Sequence, residues 1–581
     1  MSTLWAPHTE AALIENTKYL TGFIFFVTIA NHLRPQNISH LLTASTATGL
    51  FISILVISDF LGYRNIAAMY LIQVLPFAMV LFALAKTRYV TLCSGIAIPL
   101  MGACIIYTRT RGAWLGLAIA LLLVGFWAYW PARQKTERVF HKPKWQVIAI
   151  CALLITLAFL PSGLAKQGPQ SINEKKTTVT TAINSILQKG GDRGRLRTWR
   201  NTLQMIQERP TLGVGLGNWS VYYPHYDQGE LVTFQVSPER PHNTLLALFS
   251  EIGFIGLICF LWFWVATVKM GYQLIQSSDC SRRWIAAAGL TSFIAITIHS
   301  MFSFPFERAT PTVFFWLIPG LFVVLQNQTR LHSARSTFSI PAFLLFIVIV
   351  QLTFTYQLMQ FETHMYRAVT AERAANWTRV VTETKSALFY GTFHPEAVHL
   401  HGYALNALGN YNDSKEHYQK AVTKRPYDVQ ILNGLAIAAQ NLNDTQTAKT
   451  RYRQILTIVN SSDIHYNLAG LFLQTGHPDS AITAYQQVIQ MEGPSLDLYY
   501  HLTQAYLFNK QVTQATQTLQ LAFSNETQAV KHFEWIEALY HKHKKPNITR
   551  AFYTLFIQHW SSDTSSREKA RRRLKELQNL P

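Results

Sequence analysis

Long apolar stretches fill roughly the first 360 residues of the chain and are absent beyond them. An α-helix needs about 20 consecutive apolar residues to cross the hydrocarbon core of a bilayer, and roughly ten stretches approach that length with few charges. They lie at 17–32, 39–60, 65–85, 89–107, 112–130, 146–163, 244–268, 284–304, 311–326 and 339–358. The pattern predicts a polytopic α-helical membrane protein, all-α in fold class, in which the spans 17–32 and 311–326 are short.

Basic residues in the short loops predict how these spans are oriented, because Lys and Arg are retained on the cytoplasmic side. The most basic short connection, residues 133–144, is therefore placed inside. Counting spans from it puts the N-terminus, the long segment 164–243 and everything after about residue 360 on the outer side. The membrane part is thus expected to consist of a first set of spans, 1–163, an outer loop, 164–243, and a second set of spans, 244–360.

A second periodicity appears where the chain becomes polar, from residue 396. Small residues recur at intervals of 34, 33 and 34 positions, namely Gly402, Ala436, Ala469 and Thr503. The same steps relate two further sets: Ser414, Ala448, Ala481 and Ala515, and Tyr418, Tyr452, Tyr485 and Leu519. This pattern resembles the tetratricopeptide repeat, in which small residues let two antiparallel helices approach and an aromatic side chain fills the space between them. It predicts an α-solenoid over 395–528, preceded by a connecting helix at 361–394 and followed by a helical cap at 529–581.

Composition agrees with a membrane protein and excludes several other classes. Only 14% of the residues are charged, against about 25% in typical soluble domains. The formal net charge is +20, but the basic residues are mostly topology signals or lie near the outer face, so nucleic acid is not an expected partner. The five cysteines are scattered singly, which argues against a disulfide framework or a zinc site.

The outer loop contains a stretch that predicts a cationic amphipathic helix. Four arginines fall within eight positions: Arg193, Arg195, Arg197 and Arg200. Apolar residues follow helical spacing on the other face: Leu196, Trp199, Leu203 and Ile206. Arginines at the outer interface can bind a phosphate-bearing headgroup through bidentate hydrogen bonds, and the alternative is ordinary headgroup snorkelling. The glycines of the following GVGLGNW lack the strand and helix of a nucleotide-binding loop and predict a tight turn back to the membrane.

A histidine stands at the outer boundary of the seventh span, in the sequence Arg240-Pro241-His242-Asn243. With an ordinary pKa near 6.5, His242 can accept a proton from an attacking sugar hydroxyl while arginines neutralise a leaving phosphate. The alternative is a structural histidine that caps the helix or forms an interfacial hydrogen bond. Glu251, eight positions after Asn243, lies roughly two turns deeper on the same face. We interpret it as a structural ion-pair partner rather than as a base.

Three blocks of sequence together resemble the O-antigen ligase family of bacterial envelope proteins, which is related to the O-antigen polymerases and to protein O-oligosaccharyltransferases. The blocks are TRTRGAWLGL, GRLRTWRNTLQMIQERPTLGVGLGNW and PHNTLLALFSEIGFIGL, within about residues 90–330. The resemblance implies a GT-C-like transferase that moves a glycan from undecaprenyl diphosphate to an acceptor hydroxyl. The acceptor would be a lipid A core sugar or a protein, on the periplasmic side of the bacterial inner membrane. The resemblance also implies that no metal and no other cofactor takes part.

Carried over residue by residue, the resemblance implies catalytic roles for His242 and Arg195 and diphosphate binding by Arg111 and Arg195. Arg109 and Arg240 join the diphosphate-binding candidates by position alone. In this scheme the arginines hold the diphosphate and His242 orients or deprotonates the hydroxyl, so that direct attack inverts the anomeric centre. The chain departs from the family in having fewer spans before its long loop and in a last span that carries the repeats to the outer side.

Three functions stay open at this point. A ligase relocates a lipid-linked glycan to a new carrier, whereas a polysaccharide polymerase lengthens it. A membrane-anchored repeat scaffold with a vestigial transferase core would instead organise envelope partners through residues 395–528. For the repeats themselves, a face that binds a protein partner and a simple stabilising spacer both fit the sequence.

Overall fold

The structure is a computed structural model that describes residues 6, 8–57, 64–108, 110–134, 144–159, 194–326, 340–391, 394–525, 532–537, 546–559 and 564–578. Every regular element among these residues is helical, which confirms the all-α fold class. The chain forms two compact units, one of residues 1–227 and 236–357 and the other of residues 228–235 and 358–581. Three predicted features lie outside the described residues: Arg109, most of the basic loop 133–144 and the first part of the outer loop, 160–193.

The first unit contains the helices of the predicted apolar stretches and two helices of the outer loop. They are α1 (Thr9–His32), α2 (Ile38–Ile57), α3 (Arg64–Leu84), α4 (Arg88–Tyr107), α5 (Arg111–Gln134), α6 (Lys144–Phe159), α7 (Arg195–Glu208), α8 (Trp219–Asp227), α9 (Thr244–Ile275), α10 (Cys280–Ser300) and α11 (Ala309–Gln326). The tenth apolar stretch lies in α12 (Ile340–Arg373). Each predicted stretch therefore overlaps a helix over most of its described residues.

Five segments among the described residues are long and apolar enough to cross a membrane, which supports a polytopic membrane protein. They are Pro35–Ile57, Asn65–Leu84, Arg88–Tyr107, Arg111–Ala128 and Thr244–Ile275. Two shorter helices, Trp145–Leu154 and Thr310–Gln326, are also apolar. The number of about ten spans and their orientation stay predictions.

The centre of the helical bundle is formed by α3 and α10. In α10 every side chain from Ile285 to Ile296 is buried, and many of them are small. Interhelical hydrogen bonds add to this packing, because the Ser292 hydroxyl donates to the Gln73 carbonyl oxygen at 2.5 Å. Small residues and polar contacts of this kind drive helix association in a bilayer, where lipid removes the hydrophobic advantage of burial.

The helix α9 is broken at Gly253, which has φ 65° and ψ −169°. The glycine-rich turn after α7 packs against the last helical turn of α9 before this break. Backbone N–H groups of the glycine-rich turn donate hydrogen bonds to carbonyl oxygens of that helical turn. Val214 N–H donates to the Ser250 carbonyl oxygen at 2.9 Å, and Gly215 N–H donates to that of Glu251 at 2.8 Å. Backbone groups near the break are thus satisfied by protein, which is the condition for irregular backbone at membrane depth.

Replacing Gly253 by alanine is expected to destabilise the first unit by more than about 3 kcal/mol. The backbone region of Gly253 costs a residue with a Cβ atom roughly 1–3 kcal/mol, and that Cβ atom would also lie 2.1 Å from the Thr211 carbonyl oxygen. The matched control is Gly125→Ala, because a Cβ at Gly125 meets no atom within 4 Å. Melting temperatures of the purified variants in detergent test this expectation, and equal values for both variants would contradict it.

The second unit contains the repeat helices after α13 (Trp377–Tyr390). They are α14 (Pro395–Ala407), α15 (Tyr411–Lys424), α16 (Val429–Asn441), α17 (Thr445–Leu456), α18 (Ser462–Gln474), α19 (Pro478–Glu492), α20 (Leu496–Phe508) and α21 (Val512–Asn525). Consecutive helices pair into four repeats, and all twelve residues of the three periodic sets are buried. A Cβ atom at Gly402 would lie 2.4 Å from the Tyr418 ring, so the small residue makes room for the aromatic one. The predicted solenoid is confirmed.

Among the described residues, two helices of 14 and 15 residues follow the last repeat and close the end of the solenoid. They are α22 (Pro546–His559) and α23 (Thr564–Gln578). Their buried side chains, including Phe552 and Ala570, share one apolar cluster with Tyr500 and Leu519 of the last repeat. The last repeat therefore does not present a bare apolar face to solvent, as a terminal repeat would without a cap.

Candidate functional site

The helix α7 is the cationic amphipathic helix of the outer loop, and Arg195 is its first residue. Its buried side chains are Thr198, Asn201, Thr202, Met205 and Ile206. Leu196 and Leu203, which the apolar spacing grouped with Trp199, are 63% and 49% exposed. The protein packs against a mainly polar side of α7 because the polar groups have partners there: the Trp219 indole N–H donates to the Thr202 hydroxyl at 3.1 Å.

Trp199 connects α7 to the segment that precedes α9. Its indole N–H donates to the Pro241 carbonyl oxygen at 2.8 Å, and its ring lies 6.5 Å from that of Phe302. Trp199 follows Arg195 by one helical turn, so the same helix face carries both residues. The hydrogen bond therefore fixes Arg195 and His242 at one end of the first unit.

His242 has a left-handed backbone conformation, with φ 54°. Residues other than glycine seldom adopt this region, and such strain concentrates at functional sites. The helix-capping role belongs to the next residue, because the Asn243 side chain accepts from the Leu246 N–H at 3.1 Å. The His242 ring instead lies 4.9 Å from the Phe304 ring. The backbone strain at His242 is therefore not explained by capping of α9.

The surroundings of His242 favour its neutral form. Burial lowers the pKa of its imidazole below the ordinary value, and the positive charge of Arg195 lowers the pKa as well. A neutral imidazole has a free ring nitrogen that can accept a proton. The site thus combines a base in its competent form with a cation that suits a phosphate.

A close helix crossing brings the start of α5 to the same end of the unit. A Cβ atom at Gly112 would lie 2.9 Å from Nδ1 of His299, and one at Gly116 would lie 2.5 Å from the Ala295 carbonyl oxygen. Two glycines four positions apart let α5 and α10 approach to this distance. Arg111, the first residue of α5, is the neighbour of Gly112.

Arg195 lies near both the crossing of α5 and α10 and the segment that contains His242. Its positive charge acts on the imidazoles of His299 and His242. Arg195 thus acts on His242, and Arg111 directly precedes Gly112, the glycine that packs against His299. Two helices, α5 and α7, begin there with their N-termini. Helix N-termini and arginines together favour an anionic ligand.

Arg240 lies in a cluster of carboxylates. Its Nη1 is 3.0 Å from Glu251 Oε1, and its Nη2 is 2.9 Å from Glu15 Oε1 and 3.2 Å from Glu307 Oε2. Lys18 Nζ adds a contact of 2.7 Å with Glu15 Oε1. The interpretation of Glu251 as an ion-pair partner is therefore confirmed.

This cluster changes the role expected for Arg240. Burial alone would lower the pKa of its guanidinium, but the three carboxylates raise it, so the side chain stays charged. A guanidinium that already contacts three carboxylates has few donors left for a phosphate. The cluster and His242 line the same pocket, with an empty volume of about 390 Å³ that includes open solvent. These contacts favour a role for Arg240 in holding the pocket wall, and diphosphate binding by Arg240 stays a prediction.

Three residues of this region were not singled out from the sequence: His299, Glu15 and Glu307. Each is a polar residue in or beside an apolar stretch, which is the available signal for function or pairing. Glu15 and Glu307 are 292 positions apart in the chain. Only the tertiary structure shows that both contact Arg240.

Comparison with known proteins supports a ligase-like transferase domain followed by repeats. Residues 96–261 match the model of the O-antigen ligase family, and residues 395–427 and 462–493 match tetratricopeptide repeats. A Rickettsia conorii protein provisionally named a polysaccharide ligase is 28% identical over 193 residues, which are 32% of this chain and 41% of that protein. The chain thus matches less than half the length of this curated relative. The two resemblances inferred from the sequence motifs are confirmed over these residues.

Solved structures similar to this chain include proteins named MamA. One MamA crystal structure has 18% identity and a TM-score of 0.28, and covers 30% of this chain and 94% of that chain. Another, from Desulfovibrio magneticus, has 13% identity and a TM-score of 0.28, and covers 28% of this chain and 94% of that chain.

Proposed function

Because residues 96–261 match the O-antigen ligase family, we propose that this protein transfers a glycan from undecaprenyl diphosphate to an acceptor hydroxyl. The donor glycan is carried by a diphosphate in the membrane, and the acceptor is a lipid A core sugar or a protein. The reaction takes place on the periplasmic side of the bacterial inner membrane, and the repeats on that side bind a protein partner.

The observation that carries this proposal is the strained, half-buried His242, whose pKa the charge of Arg195 lowers. A base for a sugar hydroxyl must be neutral, and burial together with Arg195 lowers the pKa of His242. A leaving diphosphate needs cations and oriented N–H groups, and α5 and α7 both begin at this end with an arginine. Both requirements are met within one region of the first unit.

In the proposed reaction the acceptor oxygen attacks the anomeric carbon, and the bond between that carbon and the diphosphate oxygen breaks. His242 takes the proton of the acceptor hydroxyl, and undecaprenyl diphosphate leaves with the bonding electron pair. Arg195 and Arg111 stabilise the negative charge that develops on the leaving oxygen, because fixed cations in a site with little water act strongly on such charge. A single displacement of this kind inverts the anomeric centre.

Transfer by the purified full-length chain in lipid nanodiscs tests the proposal. The donor is an undecaprenyl-diphosphate-linked glycan, and the acceptors, supplied in separate reactions, are lipid A core and an envelope protein extract. We expect the glycan to appear on one acceptor by mass spectrometry, with release of undecaprenyl diphosphate. Absence of any glycan product with both acceptors would contradict the proposal.

The same reaction separates the two alternatives. A polymerase yields a longer glycan on the original lipid carrier, whereas a ligase leaves glycan length unchanged and moves it to a new carrier. A scaffold with a vestigial core yields neither product. In that case a strain that lacks residues 395–528 of this protein should have the same envelope defect as a deletion strain, while a His242→Ala strain should have none.

A further inference from the structure

A short segment of the outer loop belongs to the same compact unit as the repeats. This segment, residues 228–235, follows α8 directly. Nε2 of Gln430, in the second repeat, donates a hydrogen bond to the Phe234 carbonyl oxygen at 3.0 Å. Val232 is 1% exposed, although the segment contains no helix or strand. An irregular segment with a buried apolar side chain is held by packing rather than left as a free connection.

Segment 228–235 begins with a turn that packs against the repeats. Gln228 and Gly229 both have left-handed backbone conformations, with φ 50° and 77°, which glycine adopts without steric cost. A Cβ atom at Gly229 would lie 3.4 Å from the Ile458 carbonyl oxygen and 3.5 Å from the Asn460 backbone nitrogen. These two residues lie between α17 and α18. The start of the segment therefore contacts the connection between the second and third repeats.

Gln430 differs from the residues at the same position of the other repeats. It is the second residue of α16, and the Asp428 side chain accepts from its backbone N–H at 3.1 Å. The equivalent residues of the first, third and fourth repeats, at intervals of 34, 33 and 34 positions, are acidic: Glu396, Asp463 and Asp497. A carboxylate only accepts hydrogen bonds, whereas a carboxamide also donates them. At this position the second repeat thus carries the donor that the Phe234 carbonyl group needs.

Segment 228–235 leads into the motif that contains His242. Residues 236–241 connect the two, and the carbonyl oxygen of the last of them, Pro241, accepts from the Trp199 indole N–H. His242 has a strained backbone, with φ 54°, and such strain persists only where the surrounding structure fixes it. A loose connection before His242 would have to be ordered at an entropic cost before the imidazole could act.

We propose that the repeats act on the transferase of the same chain: they hold segment 228–235 and thereby keep His242 in its productive conformation, with Gln430 as the positioning residue. This inference rests on the proposed function. Gln430 contacts neither substrate and acts through the segment that precedes His242. The contact also requires the outer loop and the repeats to lie on the same side of the membrane.

Amide hydrogen exchange of the full-length protein in nanodiscs tests the contact itself. Gln430→Glu introduces the acid that the first repeat carries and removes the donor. The amide groups of residues 228–241 should then exchange about 2- to 10-fold faster, as for the loss of one hydrogen bond. Gln430→Lys keeps an N–H donor and should restore part of the protection. The matched control is Gln446→Glu, the same change at an exposed glutamine that is the second residue of α17, and it should leave exchange unchanged.

Glycan transfer shows whether the contact positions His242. We expect Gln430→Glu to lower kcat about 2- to 10-fold without a change in KM for the lipid-linked donor. The midpoint of the acid limb should move upward, because a displaced imidazole loses the burial and the charge of Arg195 that lower its pKa. His225→Ala removes an exposed histidine of the outer loop and should change neither quantity. A merely structural role of Gln430 would lower the melting temperature and leave this midpoint in place.

A second variant breaks the contact from the side of the loop. Gly229→Ala places a Cβ atom on a left-handed residue and leaves every residue of the repeats unchanged. It should speed exchange and lower kcat as Gln430→Glu does. Because both variants act on one contact, the double variant should be little slower than the slower single variant. Effects on kcat that multiply would show that the two residues act independently and would overturn the inference.

The outcomes distinguish this inference from the proposed function. A wild-type protein that transfers no glycan overturns the proposed function, while hydrogen exchange still reports the contact. If the wild type transfers glycan, but Gln430→Glu exchanges and transfers like Gln446→Glu, the positioning role is wrong and the proposed function stands. Faster exchange with an unchanged kcat and an unchanged midpoint also overturns the inference, since the contact would then exist without an effect on His242.

Discussion

Replacing His242 by alanine is expected to lower kcat/KM for glycan transfer by about two to four orders of magnitude, the range of a lost general base. The acceptor hydroxyl would then have to lose its proton to water, while the arginines around the diphosphate remain. Binding of undecaprenyl diphosphate and insertion into the membrane should persist, because the lost atoms are not diphosphate ligands. Initial rates with purified protein in nanodiscs measure the effect, and His225→Ala is the control.

The pH dependence provides a second test of the same role. A base works when it is unprotonated, so the rate should rise with pH and level off above the pKa of His242. Burial and Arg195 both lower that pKa below its ordinary value of 6.5, so the midpoint of the acid limb should lie below pH 6.5. In Arg195→Met the lost positive charge should move this midpoint upward while the maximal rate falls. An acid limb that is the same in both proteins, or that persists in His242→Ala, would rule out His242 as the titrating base.

Much of the fold follows from two periodicities that are local in sequence. The length of the apolar stretches predicts the helices of the first unit, because a helix that crosses a bilayer needs about 20 apolar residues. The described part of each stretch overlaps a helix. The intervals between Gly402, Ala436, Ala469 and Thr503 predict the solenoid because neighbouring repeats must pack in the same way. The break of α9 at Gly253 does not follow from either pattern, since it depends on the turn that pairs with it.

The amphipathic helix shows a limit of prediction from spacing. The pattern of α7 correctly predicts a helix that carries both arginines and apolar residues, but it does not predict which side the protein covers. In water an apolar side is buried by the protein. In a membrane protein an apolar side can face lipid instead. Leu196 and Leu203 are exposed on α7, while the protein covers a mainly polar side that includes Thr202 together with Met205 and Ile206.

The candidate site could be predicted from sequence where a motif carries it and not where tertiary contacts define it. Arg195 and His242 lie in motifs that resemble one family, and the structure brings them close enough for the charge of one to act on the other. Arg240 is an arginine like Arg195, and the sequence predicts both residues on the outer side of the membrane. Its partners are Glu15 in α1 and Glu307 in the connection between α10 and α11, so the contacts that favour a different role appear only in the folded chain.

Arg240→Met is expected to destabilise the first unit by about 3–5 kcal/mol, the usual cost of removing one partner of a buried ion pair. The change leaves Glu15, Glu251 and Glu307 with Lys18, whose side chain is 43% exposed. Melting temperature in detergent and glycan transfer should both fall, since the cluster forms the wall of the pocket that contains His242. The second substitution Glu251→Gln removes one uncompensated charge and should restore part of the stability.

Lys18→Met tests whether the loss of stability in Arg240→Met comes from the burial of Arg240 or only from the loss of a positive charge. It removes one positive charge beside the same carboxylates, but an exposed ion pair contributes only about 0–1 kcal/mol, so its melting temperature should stay close to that of the wild type. If Arg240 instead binds the diphosphate, Arg240→Met would raise the Kd for undecaprenyl diphosphate without lowering stability, and Glu251→Gln would not rescue it. Three carboxylates contact the Arg240 guanidinium. If Arg240 holds the pocket wall, Arg240→Met should therefore lower the melting temperature, and adding Glu251→Gln should restore part of it.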